Sequence, residues 1–185
     1  MSEIKRTLTV SVVIPALNEA ASIGAVLAAI PSTSVAEVIV VDGGSTDDTV
    51  AIARQAGARV MTEKQRGYGR ACATGVAASS SNVVIFLDAD GADDPTQIEK
   101  LLVPILSAEA DMVLGSRLAG EIAPGAMPWH QRFGNWLSAL LFRVLYCLPI
   151  TDLSPFRAIT RVALLELDMR EMTYGWPTEM IAKAS

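Results

Sequence analysis

Several features that would define a class of protein are scarce or missing in this sequence of 185 residues. The two cysteines, Cys72 and Cys147, lie far apart and outside any paired motif, so neither a disulfide framework nor a zinc site is indicated. No apolar run approaches the roughly 20 residues of a membrane-spanning helix, and no secretory signal pattern opens the chain. A basic excess is also absent, since 15 Lys and Arg residues stand against 20 Asp and Glu residues, which argues against a nucleic-acid partner. We therefore expect a cytoplasmic protein that is soluble or attached to a membrane surface.

What the sequence does contain is a regular alternation of strand and helix patterns. About half of the residues are hydrophobic (51%), which is enough for one sizeable core in a single domain. Apolar segments typical of strands alternate with helical patterns, beginning with LTVSVVIP, ASIGAVLAAI, AEVIVVD and TDDTVAIARQAG. This alternation predicts an α/β fold with a mostly parallel sheet and helices on both faces. Asp94, Pro95 and Gln97 predict the start of a helix over IEKLLVPIL, which Pro104 should kink or end.

Two aspartates follow the apolar strand VVIFL directly, in the stretch VVIFLDAD at residues 83–90. Asp88 and Asp90 should therefore emerge at the carboxyl end of a buried strand, where open α/β sheets bind their ligands. Mg²⁺ and Mn²⁺ take oxygen ligands, usually one or two carboxylates together with substrate phosphates and water. The pattern predicts a metal-phosphate site, although an Asp-rich turn is the simpler explanation when the motif is taken alone.

Two other predicted strands also end in turns with unusual chemistry. The first ends in PALNE, where Asn18 could cap the next helix while Glu19 complements the helix dipole. The second ends in DGGSTDDT, where paired glycines allow a tight turn before Asp47 or Thr46 caps a helix. Each turn has an ordinary structural explanation, but all three strand ends should meet at one edge of the sheet. That coincidence favours a shared ligand site.

In this order and spacing, PALNE, VVDGGSTDDT, RGYGRACATG, FLDAD and GSR resemble the motifs of family 2 glycosyltransferases, which have the Rossmann-like GT-A fold. The segments NWLSALLFRVLY and TDLSPFRAITR further resemble the branch that includes the polyprenyl- and dolichyl-phosphate hexose synthases. The resemblance implies a single GT-A catalytic domain over residues 1–185, with a nucleotide-sugar-binding half at 1–118 and an acceptor-side half at 119–185. Relatives usually continue further, so we expect this chain to be truncated at its C-terminus.

The resemblance also implies roles for individual residues. Asp90 would be the principal ligand of Mg²⁺ or Mn²⁺, with Asp88 near the ribose and the metal, so that the metal stabilises the departing nucleoside diphosphate. Two departures from the family pattern weaken parts of this assignment. Gly43 replaces a second aspartate after Asp42, which weakens the expected contact with the nucleotide base. Ala92 replaces a glutamine of the metal site, and the neighbouring Asp93 could substitute as a ligand. The nucleotide-sugar site would consist of Pro15, Ala16, Leu17, Glu19, Asp42, Gly67, Asp88, Ala89, Asp90 and Arg117.

Three arginines resemble phosphate-binding positions, with Arg117 ranked first and Arg132 and Arg157 behind it. We expect Arg117 and Arg132 to act in catalysis together with the metal ligand Asp90. Glu179 resembles the general base that a hydroxyl acceptor requires, but a glutamate at a helix start following Pro177 explains it equally well. A polyprenyl phosphate is already ionised, so positioning and charge neutralisation would then matter more than a base.

The apolar segment at residues 134–148 bears on the acceptor. GNWLSALLFRVLYCL carries Arg143 as its one charge, so it either packs into the core or lies in a membrane interface where the arginine snorkels. His130, just before it, is interpreted as structural. Attachment at the inner face of the cell membrane would bring the protein to a lipid acceptor.

The sequence thus predicts an inverting, metal-dependent hexosyltransferase that uses a UDP- or GDP-hexose and a polyprenyl-phosphate acceptor. Two alternatives remain open: transfer to a sugar or lipid hydroxyl with Glu179 as base, and a noncatalytic nucleotide-sugar-binding module. A sugar nucleotidyltransferase is disfavoured because PALNE lacks the glycine-rich, arginine-bearing loop expected after the first strand.

Overall fold

Six strands form one mixed sheet in the part of the chain that the computed structural model describes, residues 8–116 and 154–185. The order across the sheet is β3-β2-β1-β4-β6-β5. The first four strands are parallel, whereas β6 is antiparallel to both of its neighbours. The predicted α/β fold with a mostly parallel sheet is confirmed. The strands are β1 (Val10–Ala16), β2 (Glu37–Asp42), β3 (Arg59–Thr62), β4 (Val83–Phe86), β5 (Met112–Leu114) and β6 (Arg157–Thr160).

Helices connect the parallel strands and follow the predicted pattern closely. A 3₁₀ turn at Pro95–Gln97 begins as predicted, because the Asp94 carboxylate accepts a hydrogen bond from the Thr96 N–H at 3.0 Å. The helix after it includes Pro104 and ends two residues later, at Leu106. The helices are α1 (Ile23–Ala29), α2 (Thr49–Gln55), α3 (Tyr68–Ala78), α4 (Ile98–Leu106), α5 (Arg161–Glu166) and α6 (Trp176–Lys183).

The sheet carries a hydrophobic cluster on each face, as the continuous apolar strands predict. Successive side chains of β1 alternate between the two, so Val12 and Ile14 belong to one cluster and Val13 to the other. Buried residues of α1, α2 and α4 complete the first cluster, and those of α3, α5 and α6 complete the second. Helices therefore cover both faces, and the ends of the strands are left to form a site.

Helix α3 packs unusually close to the sheet. A Cβ atom on Gly75 would lie 2.3 Å from Val13 Cγ1, so only a glycine permits this approach. The helix begins after Gly67, whose φ of +147° strongly favours glycine over residues with side chains. This geometry fixes Tyr68, the first residue of the helix, at the carboxyl edge of the parallel strands.

Several predicted features lie outside the described residues. They include Arg117, Arg132, His130, Cys147 and the apolar segment at 134–148. Within residues 8–116 and 154–185, no helix has the length and apolar character needed to cross a bilayer.

Candidate active site

A cavity of about 610 Å³ opens at the carboxyl edge of β1, β2 and β4. It lies where the sequence predicts a ligand site, because the carboxyl ends of parallel strands meet at one edge of the sheet. Eight of the ten residues predicted for the nucleotide-sugar site line this cavity: Pro15, Ala16, Leu17, Glu19, Gly67, Asp88, Ala89 and Asp90.

The turn after β1 is held against the turn after β2. Asn18 has a φ of +58°, in the left-handed region that Asn tolerates better than most residues. Its side-chain oxygen accepts a hydrogen bond from the Thr46 N–H at 2.8 Å, and its own N–H donates to Ser45 Oγ at 2.9 Å. Helix α1 begins only at Ile23, so the idea that Asn18 caps that helix is wrong. Asn18 instead joins two turns at the rim of the cavity.

The sequence places Asp42 in the nucleotide-sugar site, but in the structure Asp42 and Gly43 do different things. Asp42 is 4% exposed, and its carboxylate accepts hydrogen bonds from the Gly44 and Ser45 N–H groups at 3.1 and 3.0 Å. Gly43 lines the cavity, whereas Asp42 does not. The aspartate therefore shapes the turn, and the glycine provides the surface that faces the cavity.

Asp88 and Asp90 follow β4 and both reach the cavity. Asp88 is half-buried and Asp90 is exposed. The Asp88 Oδ1 atom accepts a hydrogen bond from the Tyr68 hydroxyl at 2.9 Å, and Asp90 Oδ1 accepts one from the Ala92 N–H at 2.8 Å. Each carboxylate is thus oriented by a specific donor. This agrees with a site built to hold a ligand in a fixed position.

Tyr68 is one of several cavity residues that the sequence did not reveal. Burial, together with nearby Cys72 and Asp88, raises the pKa of the Tyr68 phenol well above its ordinary value, so the hydroxyl remains a hydrogen-bond donor. Its ring stacks on that of Tyr174, with centroids 6.3 Å apart. The RGYGRA motif could have pointed to Tyr68, since it adjoins Gly67, whereas nothing local marked the residues near the C-terminus. The unpredicted lining residues are Gly43, Arg66, Tyr68, Ala71, Thr173 and Tyr174.

Arg157, ranked low among the phosphate-binding candidates, lies beneath the cavity instead of lining it. It is 1% exposed, and its guanidinium donates to the backbone carbonyls of Ser154, Pro155 and Pro177. Burial lowers the pKa of Arg157, and the negative charges of Asp88 and Asp93, among other groups, act in the opposite direction. The arginine therefore contributes positive charge behind the carboxylates. It does not present a free guanidinium to a substrate.

Asp93, the suggested substitute metal ligand, is also buried, at 8% exposure. It does not line the cavity, and the charge of Asp93 acts on the buried Arg157 guanidinium. Asp88 and Asp90 therefore reach the cavity, whereas Asp93 does not.

Glu179 lies outside the cavity, near the start of α6. Its carboxylate accepts hydrogen bonds from the backbone N–H groups of Arg170, at 3.0 and 3.1 Å, and Glu171, at 2.7 Å, and pairs with Lys183 Nζ at 2.8 Å. Burial raises the pKa of this carboxyl, but the Lys183 and backbone donors outweigh it, so the pKa lies below its ordinary value. A strongly paired, ionised carboxylate of this kind favours the structural interpretation over that of a general base.

The donor set at the edge of the sheet fits a hard divalent cation. Asp88 and Asp90 provide carboxylate oxygens to the same cavity, and Mg²⁺ and Mn²⁺ commonly take one or two protein carboxylates together with substrate phosphates. In the part of the chain that the structure describes, no cluster of three or more His, Cys, Asp or Glu side chains forms a self-contained metal site. Two carboxylates suit a metal that also takes phosphate oxygens of a ligand.

A Rossmann-like sheet with carboxylates at its ligand edge is the architecture of GT-A nucleotide-sugar enzymes, and comparison with known proteins agrees. The sequence model of glycosyl transferase family 2 matches residues 11–167. This chain belongs to that family, whose members are glycosyltransferases.

Curated relatives support the same conclusion. An uncharacterized glycosyltransferase of Mycobacterium tuberculosis is 40% identical over 176 residues, which cover 95% of this chain and 78% of that protein. A low-salt glycan biosynthesis hexosyltransferase of Haloferax volcanii is 36% identical over 182 residues, 95% of this chain and 44% of that protein.

Among solved structures, glucosyl-3-phosphoglycerate synthase from Mycobacterium tuberculosis is similar over 94% of this chain. In its complex with Mn²⁺, UDP and glucosyl-3-phosphoglycerate, the TM-score is 0.74 and the identity 29%. This chain spans 64% of that chain, so roughly a third of the solved enzyme has no counterpart here. The same enzyme has also been solved with Mg²⁺ and UDP.

Proposed function

We propose that this chain is the catalytic domain of a metal-dependent hexosyltransferase that moves a sugar from a UDP- or GDP-hexose to a phosphate-bearing acceptor, with inversion at the anomeric carbon. The observation that carries the proposal is the pair of oriented carboxylates, Asp88 and Asp90, in a cavity at the carboxyl edge of the parallel strands. Family membership and the UDP complexes of glucosyl-3-phosphoglycerate synthase support it.

The described residues would bind the donor in two zones. The apolar wall formed by Pro15, Ala16 and Leu17 suits the nucleoside, and Gly43 lines the cavity beside it without a side chain. Asp88 and Asp90 would hold Mg²⁺ or Mn²⁺, which when bound neutralises charge on the diphosphate leaving group. The two carboxylates are oriented before the donor arrives, so little conformational entropy is lost on binding.

The charges near the cavity support a choice between classes of acceptor. Glu179 is committed to backbone donors and Lys183, and Glu19, Asp88 and Asp90 are the carboxylates that the described residues bring to the cavity wall. With all three cavity carboxylates assigned to the donor, an acceptor that is already ionised is favoured over a hydroxyl that must be deprotonated. Among ionised acceptors we propose a polyprenyl phosphate, on the basis of the sequence resemblance of NWLSALLFRVLY and TDLSPFRAITR. We expect Arg117 and Arg132 to contact its phosphate.

Calorimetry with the purified chain tests the donor site. UDP, GDP, UDP-glucose and GDP-mannose are titrated with and without Mn²⁺, and we expect one nucleotide class to bind much more tightly with the metal than without it. Asp90→Asn should abolish this metal-dependent binding. Asp48→Asn is the matched control, because Asp48 is exposed, makes no side-chain cap hydrogen bond and lies outside the cavity. Metal-dependent affinity that survives in Asp90→Asn would remove Asp90 as the ligand.

A second acceptor is favoured by the solved structures, which include glucosyl-3-phosphoglycerate synthase with bound phosphoglyceric acid. An assay with the matched sugar donor compares polyprenyl phosphate in detergent with 3-phosphoglycerate. Glycosylation of the lipid alone supports the first proposal, whereas glycosylation of phosphoglycerate supports the second. NMR of the anomeric proton in the product checks whether the configuration is inverted. Release of nucleoside diphosphate distinguishes either enzyme from a noncatalytic binding module.

A further inference from the structure

We propose that Tyr68 is a positioning residue that holds Asp88 in the orientation required for metal-dependent nucleotide binding, and that the loop at residues 171–174 holds Tyr68 in place. This inference rests on the proposed function. Its direct basis is the hydrogen bond from the Tyr68 hydroxyl to Asp88 Oδ1, at 2.9 Å. A phenol that donates to a carboxylate restricts its rotation, and such hydrogen bonds to charged acceptors are strong.

The ring of Tyr68 cannot move independently of the helix that carries it. Tyr68 is the first residue of α3, and the Gly69 and Arg70 N–H groups of that first turn donate to the carbonyl oxygens of Thr173 and Met172, each at 3.0 Å. The start of a helix normally leaves such N–H groups without intrahelical partners. Here the loop at 171–174 supplies the acceptors, so the loop fixes the direction of the first turn.

Packing between the helix and the loop leaves no room for adjustment. A Cβ atom on Gly69 would lie 2.5 Å from the Glu171 carbonyl oxygen, and one on Gly67 would lie 2.3 Å from the Met172 carbonyl oxygen. The two backbones are therefore in direct contact. On the cavity side, the ring of Tyr174 stacks on that of Tyr68, with centroids 6.3 Å apart.

Glu179 anchors the far end of this loop. Its carboxylate accepts hydrogen bonds from the N–H groups of Arg170 and Glu171, at the start of the segment that contacts α3. A continuous series of contacts thus runs from Glu179 through the loop and the start of α3 to Tyr68 and Asp88. Although the loop at 171–174 is distant from Asp88 in sequence, in this arrangement it sets the orientation of the Asp88 carboxylate at the end of β4.

The test is a hydroxyl deletion at Tyr68 in the full chain. Tyr68→Phe keeps the ring, its stacking and its burial, and removes the hydroxyl that donates to Asp88 and also bonds with the Cys72 side chain. Thr74→Val is the matched control: Thr74 lies on the same helix and donates to Glu63 Oε2 at 2.7 Å, outside the cavity. Thermal melting establishes that both variants are folded. Calorimetry with UDP or GDP, whichever the wild-type chain binds, is then run with and without Mn²⁺.

We expect Tyr68→Phe to weaken Mn²⁺-dependent nucleotide binding roughly tenfold, as for the loss of one hydrogen bond to a charged group, with less than a twofold change in metal-free binding. Thr74→Val should stay within twofold of wild type in both conditions. A double-mutant cycle with Asp88→Asn should show that the two effects are not additive, because Tyr68 acts through Asp88. A structural role alone would not produce this coupling.

The outcomes separate the two proposals. If the wild-type chain binds no nucleotide with metal, the proposed function fails. If the wild-type chain binds and Tyr68→Phe binds equally well, or if its effect is additive with that of Asp88→Asn, the function stands and the positioning role is overturned. A Tyr68→Phe chain that does not fold would assign the hydroxyl to stability and overturn the positioning role as well.

Discussion

Replacing Glu179 distinguishes a structural carboxylate from a catalytic one. The wild-type side chain is 17% exposed and binds two backbone N–H groups and Lys183. In Glu179→Ala, the N–H groups of Arg170 and Glu171 lose their charged acceptor. In Glu179→Gln, one amide oxygen remains to accept, but the charge is lost. The two variants therefore remove the interaction in graded steps.

The expected magnitude follows from these contacts. A hydrogen bond to a charged group contributes about 1.5–3 kcal/mol, whereas a partly exposed ion pair such as that with Lys183 contributes a few tenths of a kcal/mol. We expect Glu179→Ala to lower the free energy of unfolding by about 3 kcal/mol, and Glu179→Gln by about half as much. For a chain of this length, about 3 kcal/mol corresponds to a fall in Tm of roughly 10 °C.

The stability effect should depend on pH in a defined direction. Because the pKa of Glu179 in the folded chain lies below its ordinary value of 4.5, the stabilisation is fully present above pH 4.5. It is lost as the pH falls through the folded-state pKa. The difference in Tm between wild type and Glu179→Ala should therefore be constant near neutral pH and shrink below pH 4.5.

Urea unfolding, together with transferase kinetics, checks the reasoning. We expect Glu179→Gln to lose stability and to weaken metal-dependent nucleotide binding through the loop at 171–174, while kcat at saturating donor falls less than about threefold, since a general base would contribute 10²–10⁴-fold. Glu166→Ala is the control, because Glu166 is an exposed glutamate on the neighbouring helix α5. A Glu179→Gln chain with unchanged stability and a kcat reduced a hundredfold would refute the structural assignment and restore the general base.

Two further predictions concern packing and capping. Gly75→Ala should lower the free energy of unfolding by about 2 kcal/mol, because the new methyl group meets Val13 Cγ1 at 2.3 Å; Gly24→Ala, with its nearest contact at 3.3 Å, should be neutral or stabilising. If chemical denaturation shows that Gly75→Ala and Gly24→Ala change the free energy of unfolding equally, the close approach of α3 to the sheet is contradicted. Asp94→Ala should cost about 1 kcal/mol at neutral pH through loss of the bond from the Thr96 N–H. Hydrogen bonds from Thr96 and Gln97 lower the pKa of Asp94, so the stabilisation should be lost as the pH falls through that pKa. If Asp94→Ala still lowers the free energy of unfolding in acid, the capping role is refuted.

The sequence by itself determined the α/β architecture and the edge at which the ligand site lies. Strand and helix patterns are local, and once the first strands are parallel, their carboxyl ends must share an edge. Asp88 and Asp90 directly follow an apolar strand, so their place at the cavity needed no knowledge of long-range contacts. The glycosyltransferase family was likewise readable from the order and spacing of these motifs.

Only the tertiary structure decided what several other polar residues do. Arg157 lies beneath the cavity because β6 inserts between β4 and β5, an order that sequence patterns do not encode. The contacts of Tyr68 and Glu179 depend on the packing of α3 against the loop at 171–174, which adjoins α6 and lies about a hundred residues from α3 in the chain. Local propensity and periodicity carry no information about such pairings, since their geometry is set by how the helices pack on the finished sheet.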